Sequence, residues 1–536
     1  MSDLFCFTGV NAMSNKAKSA IFSSVQYLII FIGFAISYMF TYPQYDVLLF
    51  TRDFKGDFIS VLHEAINYGN GRLLGNIFGF YFSHHFTAAI FATAFFLTLI
   101  VFLSNRLFFD GNRKTAFPIA ICIAFPAVGL MREVYSMIAA FCNYAVPFAF
   151  ALMSGVLIKR IKSGESRLLY IPLAVSAVGA CLFSENTTVV MLCAAVLIIV
   201  GDLCSDKKVS ESGIVNFIFT FTGTLIMYLI PRLTETQEKL SGYRGFVTEP
   251  KALIYNIIAA VRSFSLLANQ YVLVYAAISA VMIYVLFKQC KTYKAVKIML
   301  TAVLTAVPLL GIFAVIFAEK ANKFAMLFLM LELAYLVTVL IVSILSKQRK
   351  LIFSFVMTVI LLCSAVGPMT IVNHRGDRTF YATFAILFCY AMFLIKEIGI
   401  GDKVNRFVGI FAPTTFIVGC CVMLTITAQN FDSYAYRAEY LARKSVASDS
   451  IDVPYLAHGR LATETTLGQI DPCLFNGEIN VRFNVIPANE WEMSDEYRRI
   501  THLPPIDAVK YGLNHWEFKD ATYPAKLRNE YLKENK

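Results

Sequence analysis

Phe86–Ser104, FTAAIFATAFFLTLIVFLS, carries no charged residue. As an α-helix rising about 1.5 Å per residue it would be roughly 28 Å long, close to the ~30 Å hydrocarbon core of a bilayer. In lipid such a backbone is satisfied only as a helix or a closed barrel. Outward from it, apolar runs recur at 21–41, 116–131, 143–158, 168–183, 186–201, 214–231, 263–287, 297–317, 324–346, 351–366, 380–398 and 407–427. The pattern predicts an all-α polytopic membrane protein of about 13 transmembrane helices. Composition agrees: the 536 residues are 57% hydrophobic and 15% charged, against about 25% charged in a soluble domain.

The net charge of +11 reports topology before it reports nucleic acid, and no nucleic-acid partner is expected. With residues 1–20 in the cytoplasm, the loops on that side hold 21 Lys and Arg and the opposite loops 13. The positive-inside rule then places 42–85 as a large first outer loop and the tail outside. The first apolar run is too long for a signal-peptide core and reads as an uncleaved helix. The 12 Cys fall mostly inside apolar runs and form no CxxC, so they read as small hydrophobes, with neither a disulfide framework nor a zinc site.

From about Ala428 the chain changes character, with 13 basic and 16 acidic residues, both tryptophans (Trp491, Trp516) and no spanning run. Residues 428–536 read as a small extracytoplasmic α/β module after a 21–427 transmembrane domain. "DSYAYRAEYLARK" suits a helix and "GEINVRFNVI" an alternating strand.

Polar residues collect in the outer loops. The first holds Asp46, Asp53, Asp57, His63, Glu64 and the knot Asn67–Asn76, NYGNGRLLGN. The next hold Arg132, Glu133, Asn143 and Tyr144, then Glu185 and Asn186, then Tyr243 and Arg244, then His374, Arg375, Asp377 and Arg378. Charges beside an apolar span usually pair or line a cavity, so a composite site at the outer face is expected. Arginines fork onto phosphate oxygens, a carboxylate takes a proton from a hydroxyl, and glycines let backbone N–H groups approach an anion. Outside the membrane the activated sugar donor is a lipid-linked sugar phosphate, so the set points to glycosyl transfer. "HEAIN" puts Asn67 where a metalloprotease needs its second His. There is no Walker A loop, no G-x-S-x-G and no dinucleotide fingerprint.

The ordered segments YDVLLF (Asp46), YGNGRLLGN (Tyr68, Gly71, Arg72, Gly75, Asn76), NYAVP (Asn143, Tyr144, Pro147), FSENTT (Phe183, Glu185, Asn186, Thr188) and RTFY (Arg378, Phe380) resemble a bacterial multi-pass family of glucosyltransferase-domain proteins. That family is similar in turn to the GT-C polyprenyl-phosphate-sugar glycosyltransferases. Where the family has an acidic pair, this chain has one Asp and Val47. The resemblance implies a bacterial plasma-membrane enzyme with a polyprenyl-phosphate-sugar donor, an envelope-glycan acceptor and a lipid tail held by the bundle. Asp46, Asp53 or Asp57 would be the catalytic base. Asp53 and Asp57 have a second role open to them, helping to hold Mg2+ or Mn2+ on phosphate oxygens, and the alternative for each is a solvated loop acid. Tyr68, Arg72, Asn76, Arg132, Asn143, Tyr144, Glu185, Asn186 and Arg378 would bind substrate. Against each stands a local role: Arg72 pairing with Glu64, Glu185 with Arg132 or Arg378, Tyr144 anchoring at the interface. A lipid-linked saccharide flippase, a glycan polymerase or ligase, and a non-catalytic membrane scaffold are the other readings.

Overall fold

The computed structural model describes residues 15–68, 70–233, 249–316, 324–370, 376–399, 402–445, 450–454, 482–486 and 494–534. Tyr243, Arg244, His374, Arg375, Trp491 and the start of the predicted strand, 477–481, lie outside them.

The first helices are α1 (Asn15–Ser37), α2 (Tyr45–Asp53), α3 (Phe58–Asn67), α4 (Leu73–His84), α5 (Phe86–Phe109) and α6 (Arg113–Ala124). A short turn, Val128–Leu130, and a π-helical turn, Met131–Tyr135, lead to α7 (Ile138–Tyr144) and α8 (Val146–Lys162). Then come α9 (Tyr170–Cys181), α10 (Glu185–Asp206), α11 (Glu211–Leu233), α12 (Pro250–Ala268), α13 (Val272–Lys288), α14 (Lys294–Ile316), α15 (Ala325–Leu345) and α16 (Arg349–Thr370). A 3₁₀ turn, Asp377–Phe380, opens α17 (Tyr381–Ile398), and α18 runs Asp402–Lys444. The C-terminal elements are β1 (Ser450–Pro454), β2 (Arg482–Ile486), α19 (Ser494–Thr501), α20 (Pro505–Asn514), a 3₁₀ turn (Trp516–Lys519) and α21 (Tyr523–Glu534). The strands pair in parallel, with Ser450 opposite Arg482 and Pro454 opposite Ile486.

Among the described residues, 10 helices are long and apolar enough to cross a membrane. The protein is therefore an all-α multi-pass membrane protein. The lipid-facing surface shows why: Phe91, Phe95, Leu327, Leu333 and Ile417 are exposed large hydrophobics, which water would not tolerate in such number. Three further apolar helices, Ile21–Ser37, Arg167–Cys181 and Val272–Lys288, are shorter.

The helices depart from the apolar runs at three places. The predicted span 116–131 is broken: α6 ends at Ala124 and the chain bends by 77° into Val128–Tyr135. Pro126 favours that break, because the residue before a proline is steered away from helical backbone. The predicted span 263–287 is two helices, α12 and α13. The buried turn between them is stabilised by Asn269 Nδ2 donating to the Ser265 carbonyl at 2.8 Å. Last, one helix runs on across 427/428. The last apolar run and "DSYAYRAEYLARK" form one 43-residue helix, α18, about 65 Å long at the ordinary rise.

The far half of α18 carries the C-terminal elements. Ala428, Phe431, Ala435, Ala438 and Ala442 form a small-residue stripe buried against α20 and the 3₁₀ turn. The end of α1 joins the same core: Phe40 meets Phe431 and Trp516 with centroids 5.9 and 6.2 Å apart, and Tyr42 stacks on Tyr434 at 4.6 Å. The C-terminal region is thus seated beside the helix ends that carry the polar knots.

Candidate functional site

The Asn67–Asn76 knot is a folded hinge between α3 and α4. Asn76 Nδ2 donates to Asn70 Oδ1 at 2.8 Å, and the same oxygen accepts from the Arg72 N–H at 3.0 Å. Gly71 sits at φ +78°, and a Cβ there would lie 2.0 Å from the Met227 carbonyl, so the position needs glycine. The N–H groups of Leu74 and Gly75 donate to the Leu182 carbonyl at 3.0 and 3.3 Å. A Cβ on Gly75 would meet Asn143 Oδ1 at 2.1 Å. The glycines and asparagines clamp the turn between α11 and the end of α9, and this aims Arg72.

Arg72 meets Glu185, the first residue of α10. Nε lies 3.1 and 3.0 Å from the two carboxylate oxygens and Nη2 2.5 Å from Oε2. This is a fork onto a carboxylate, the geometry arginine also offers to phosphate. The local roles open to these residues in the sequence, Arg72 with Glu64 and Glu185 with Arg132 or Arg378, did not include this pair.

A second ion chain lies alongside. Arg378 Nη1 donates to Asp46 Oδ2 at 3.0 Å, and the Arg378 backbone N–H to Glu133 Oε2 at 3.0 Å. Arg132 Nη2 bridges Glu133 Oε1 at 3.2 Å and Asp377 Oδ2 at 3.1 Å. The bend after α6 delivers Arg132 and Glu133, the first turn of α2 delivers Asp46, and the 3₁₀ turn delivers Asp377 and Arg378. Tyr144, at the end of α7, is in electrostatic contact with both Arg72 and Arg378, and so joins the two groups. Four carboxylates thus meet three guanidinium groups at one end of the bundle. Arg132 keeps 36% of its side chain exposed, against 13% for Arg72, so the cluster opens to solvent at the Arg132 side.

Asp46, Arg72, Arg132, Tyr144, Glu185 and Arg378 therefore come together. Asn76 is spent on the hinge. Asn143 Nδ2 donates to the Ala139 carbonyl at 2.8 Å, and its buried Oδ1, packed on Gly75, has no hydrogen-bond partner among the described residues. Asn186 is buried and donates to the Thr379 carbonyl at 3.2 Å, tying α10 to the turn that holds Arg378; this also closes off its Asn-Thr-Thr sequon. Tyr68 lies apart, in an aromatic cluster with Phe50, Phe54 and Phe80. Asp57 caps α3 by accepting from the Ser60 N–H at 3.0 Å, and that hydrogen bonding holds its carboxyl below the usual range. Asp53 is exposed seven residues beyond Asp46 on α2, about 10 Å along the axis. Glu133 and Asp377 belong to the cluster although neither reads as a substrate residue in the sequence; their signal was the Arg-Glu and Asp-Arg dipeptides at the ends of apolar runs.

Among the described residues no three His, Cys, Asp or Glu side chains converge as a metal-ligand set. The cluster's acids are engaged by arginines instead.

Beside the cluster an apolar cavity of about 560 Å3 runs between α8, α10, α16 and α17. Its near end is lined by Tyr144, Thr187 and Tyr381, its middle by Met191, Leu361, Ala385 and Ile386, and its far end by Lys350 and Glu397, which pair at 3.1 Å. Tyr381 to Glu397 is sixteen residues of one helical run, about 24 Å. Tyr144 lines this near end and is in contact with Arg72 and Arg378, and Thr187 and Tyr381 follow Glu185 and Arg378 by two and three residues, so the slot's near end lies beside the ion cluster, whose own charged side chains are not part of its lining.

No protein-family model and no curated protein matches the chain.

Proposed function

We propose that the protein is a membrane glycosyltransferase that moves one sugar from a polyprenyl-phosphate-linked donor to a cell-envelope glycan. The observation that carries this is the junction itself: arginine forks and carboxylates at the mouth of a long apolar slot. A lipid phosphate has the same two-part chemistry, an anionic head on a long hydrocarbon tail. A slot of about 24 Å exceeds one leaflet of a ~30 Å core, which suits an isoprenoid chain better than an ordinary acyl tail. The finer topology follows the sequence reading: some thirteen crossings of the plasma membrane, the N-terminus in the cytoplasm, and the ion cluster and an α/β C-terminal module outside.

In the resting arrangement Arg378 holds Asp46. While that pair is closed, the Asp46 Oδ2 is occupied by the guanidinium. When the donor phosphate takes Arg378 and Arg72, Asp46 is released to accept the proton of the acceptor hydroxyl. The acceptor oxygen bonds to the anomeric carbon as the bond from that carbon to the phosphate oxygen breaks, and the electron pair leaves on the lipid phosphate. One direct displacement inverts the anomeric centre. The arginines stabilise the charge that grows on the phosphate, which is where preorganised donors contribute most.

A flippase is disfavoured because the slot's lining has no charged side chain between its two ends, and a sugar phosphate would cross that stretch at high cost. A scaffold gives no account of three arginines kept at a lipid-sized cavity. The test is mass spectrometry of envelope glycans from a deletion strain complemented with wild type, Asp46→Asn or Arg72→Ala. A missing hexose-sized mass restored by wild type alone supports transfer; restoration by both variants at equal expression removes this site, and an unchanged glycan profile on deletion removes the reading.

A further inference from the structure

A second cavity, of about 560 Å3, lies outside the ion cluster, between the α4–α5 junction and the C-terminal 3₁₀ turn. Thr51 and His85 line one side of it, and Trp516, Glu517, Asp520 and Thr522 the other. This size is ordinary for a small-ligand site. Its chemistry is that of a saccharide cleft. An indole offers a flat apolar face for sugar C–H groups, and hydroxyls and carboxylates surround it as partners for sugar hydroxyls.

The charge balance narrows the ligand. Lys519 lines the same crevice but its ammonium is withdrawn, donating to the Thr41 carbonyl and lying 4.4 to 5.7 Å from the ring centroids of Phe431, Trp516, Phe86 and Phe40. Lys526 is held by Asp520 at 2.8 Å. Both His84 ring nitrogens face backbone carbonyls, of Phe80 and Phe54, at 2.9 Å, and His85 Nε2 meets the Gly56 carbonyl at 3.2 Å. Glu517 is exposed, and its carboxylate has no hydrogen bond among the described residues. Asp520 is thus taken up by Lys526 and Thr522, and Glu517 is left as the exposed carboxylate of this wall.

We infer that this crevice binds a neutral or amino-bearing oligosaccharide and excludes an acidic one. Thr51 lies five residues beyond Asp46 on α2, about 7.5 Å along the helix, so a chain seated here has its end within reach of the ion cluster. Its role as the acceptor subsite rests on the transferase reading; saccharide binding as such does not.

The experiment uses the full chain in lipid nanodiscs with no donor present. Maltohexaose, chitosan hexamer and hexagalacturonate are titrated, and binding is followed by saturation-transfer NMR and calorimetry. The expected result is saturable binding of the neutral or the amino probe, none of the acidic probe, and roughly 10- to 100-fold weaker binding in Glu517→Ala, the worth of one hydrogen bond to a charged group. Glu517 is exposed, so an unchanged melting temperature shows that this variant folds. Failure of both the neutral and the amino probe, equal binding of hexagalacturonate, or full affinity in Glu517→Ala overturns the inference. Binding without any donor-dependent adduct would remove the transferase reading and keep the cleft; transfer without binding here would do the reverse.

Discussion

The ion cluster and the joint of the C-terminal region both bury charge at the same end of the bundle, but in opposite ways. In the cluster every named carboxylate faces a guanidinium within 3.2 Å or an arginine backbone N–H. In the joint, Lys519 is 4% exposed among aromatic rings, and Asp432 is 0% exposed with neither oxygen hydrogen-bonded among the described residues. Paired charges can be exchanged for a ligand of the same sign at modest cost, because a phosphate simply replaces a carboxylate. Isolated buried charges offer no such exchange and weaken the structure around them. The first arrangement is built for chemistry. The second makes docking of the C-terminal region depend on conditions.

That contrast is open to direct attack. The largest effect is expected from Asp46→Asn, which removes the base and keeps the shape: transfer measured with purified protein and donor falls by about 10²- to 10⁴-fold. An activity within threefold of wild type takes the base role from Asp46. Next, Arg72→Lys and Arg378→Lys keep the charge but lose the fork, and turnover falls roughly 10- to 100-fold. Third, Arg72→Ala strands Glu185 and lowers unfolding free energy by about 1–3 kcal/mol. Adding Glu185→Ala recovers part of that, with a coupling of about 0.5–3 kcal/mol in a double-mutant cycle; simple additivity would mean the pair does not couple.

The joint makes a pH prediction. Burial pulls the Lys519 amine well below its ordinary value. The folded state then binds fewer protons than the unfolded chain, so stability rises with pH until the ordinary lysine value of about 10.4 and falls as the solution is acidified. The slope is at most about 1.4 kcal/mol per pH unit. Protection of the C-terminal region from limited proteolysis should therefore grow from pH 7 to 10 in wild type, and Lys519→Met should flatten the trend. A parallel trend in both proteins removes Lys519 as its source. The smallest effect belongs to Asp57→Ala, which loses a helix cap far from the arginines: transfer stays within about twofold, and only the melting temperature drops slightly.

The spans and the polar knots were legible in the sequence because apolar runs and interrupting charges are local signals. The pairings were not. Arg72 reaches Glu185 across 113 residues, Arg132 reaches Asp377 across 245, and Arg378 reaches Asp46 across 332. Nothing in a single chain says which arginine takes which acid. The break after α6 was hidden because Phe125 and Pro126 are themselves apolar, so hydropathy ran on through them. The run past 427 failed in the other direction: polar residues ended the hydropathy signal while the helix continued, since TITAQNFDSYAYRAEYLA contains neither glycine nor proline. Lys519 reads as a surface residue by type, as nearly all lysines do, and only the folding of the distant Phe40, Phe86 and Phe431 around it, beside its neighbour Trp516, reveals otherwise.

The uninterrupted helix past Pro413 turns the C-terminal region into the head of a lever. From residue 414 to 444 it is about 46 Å long, with its base in the bilayer, the crevice's C-terminal wall resting on it part-way at Phe431, and α21 against its far end. There is no hinge between them to absorb motion. A span tilts when bilayer thickness changes, and for a lever arm of about 25 Å beyond the membrane a 10° tilt swings the tip by roughly 4 Å. Lipid composition would thereby shift the C-terminal wall of the crevice against its α2–α5 wall, so a thicker or thinner membrane would change what the crevice holds without touching a single residue that lines it.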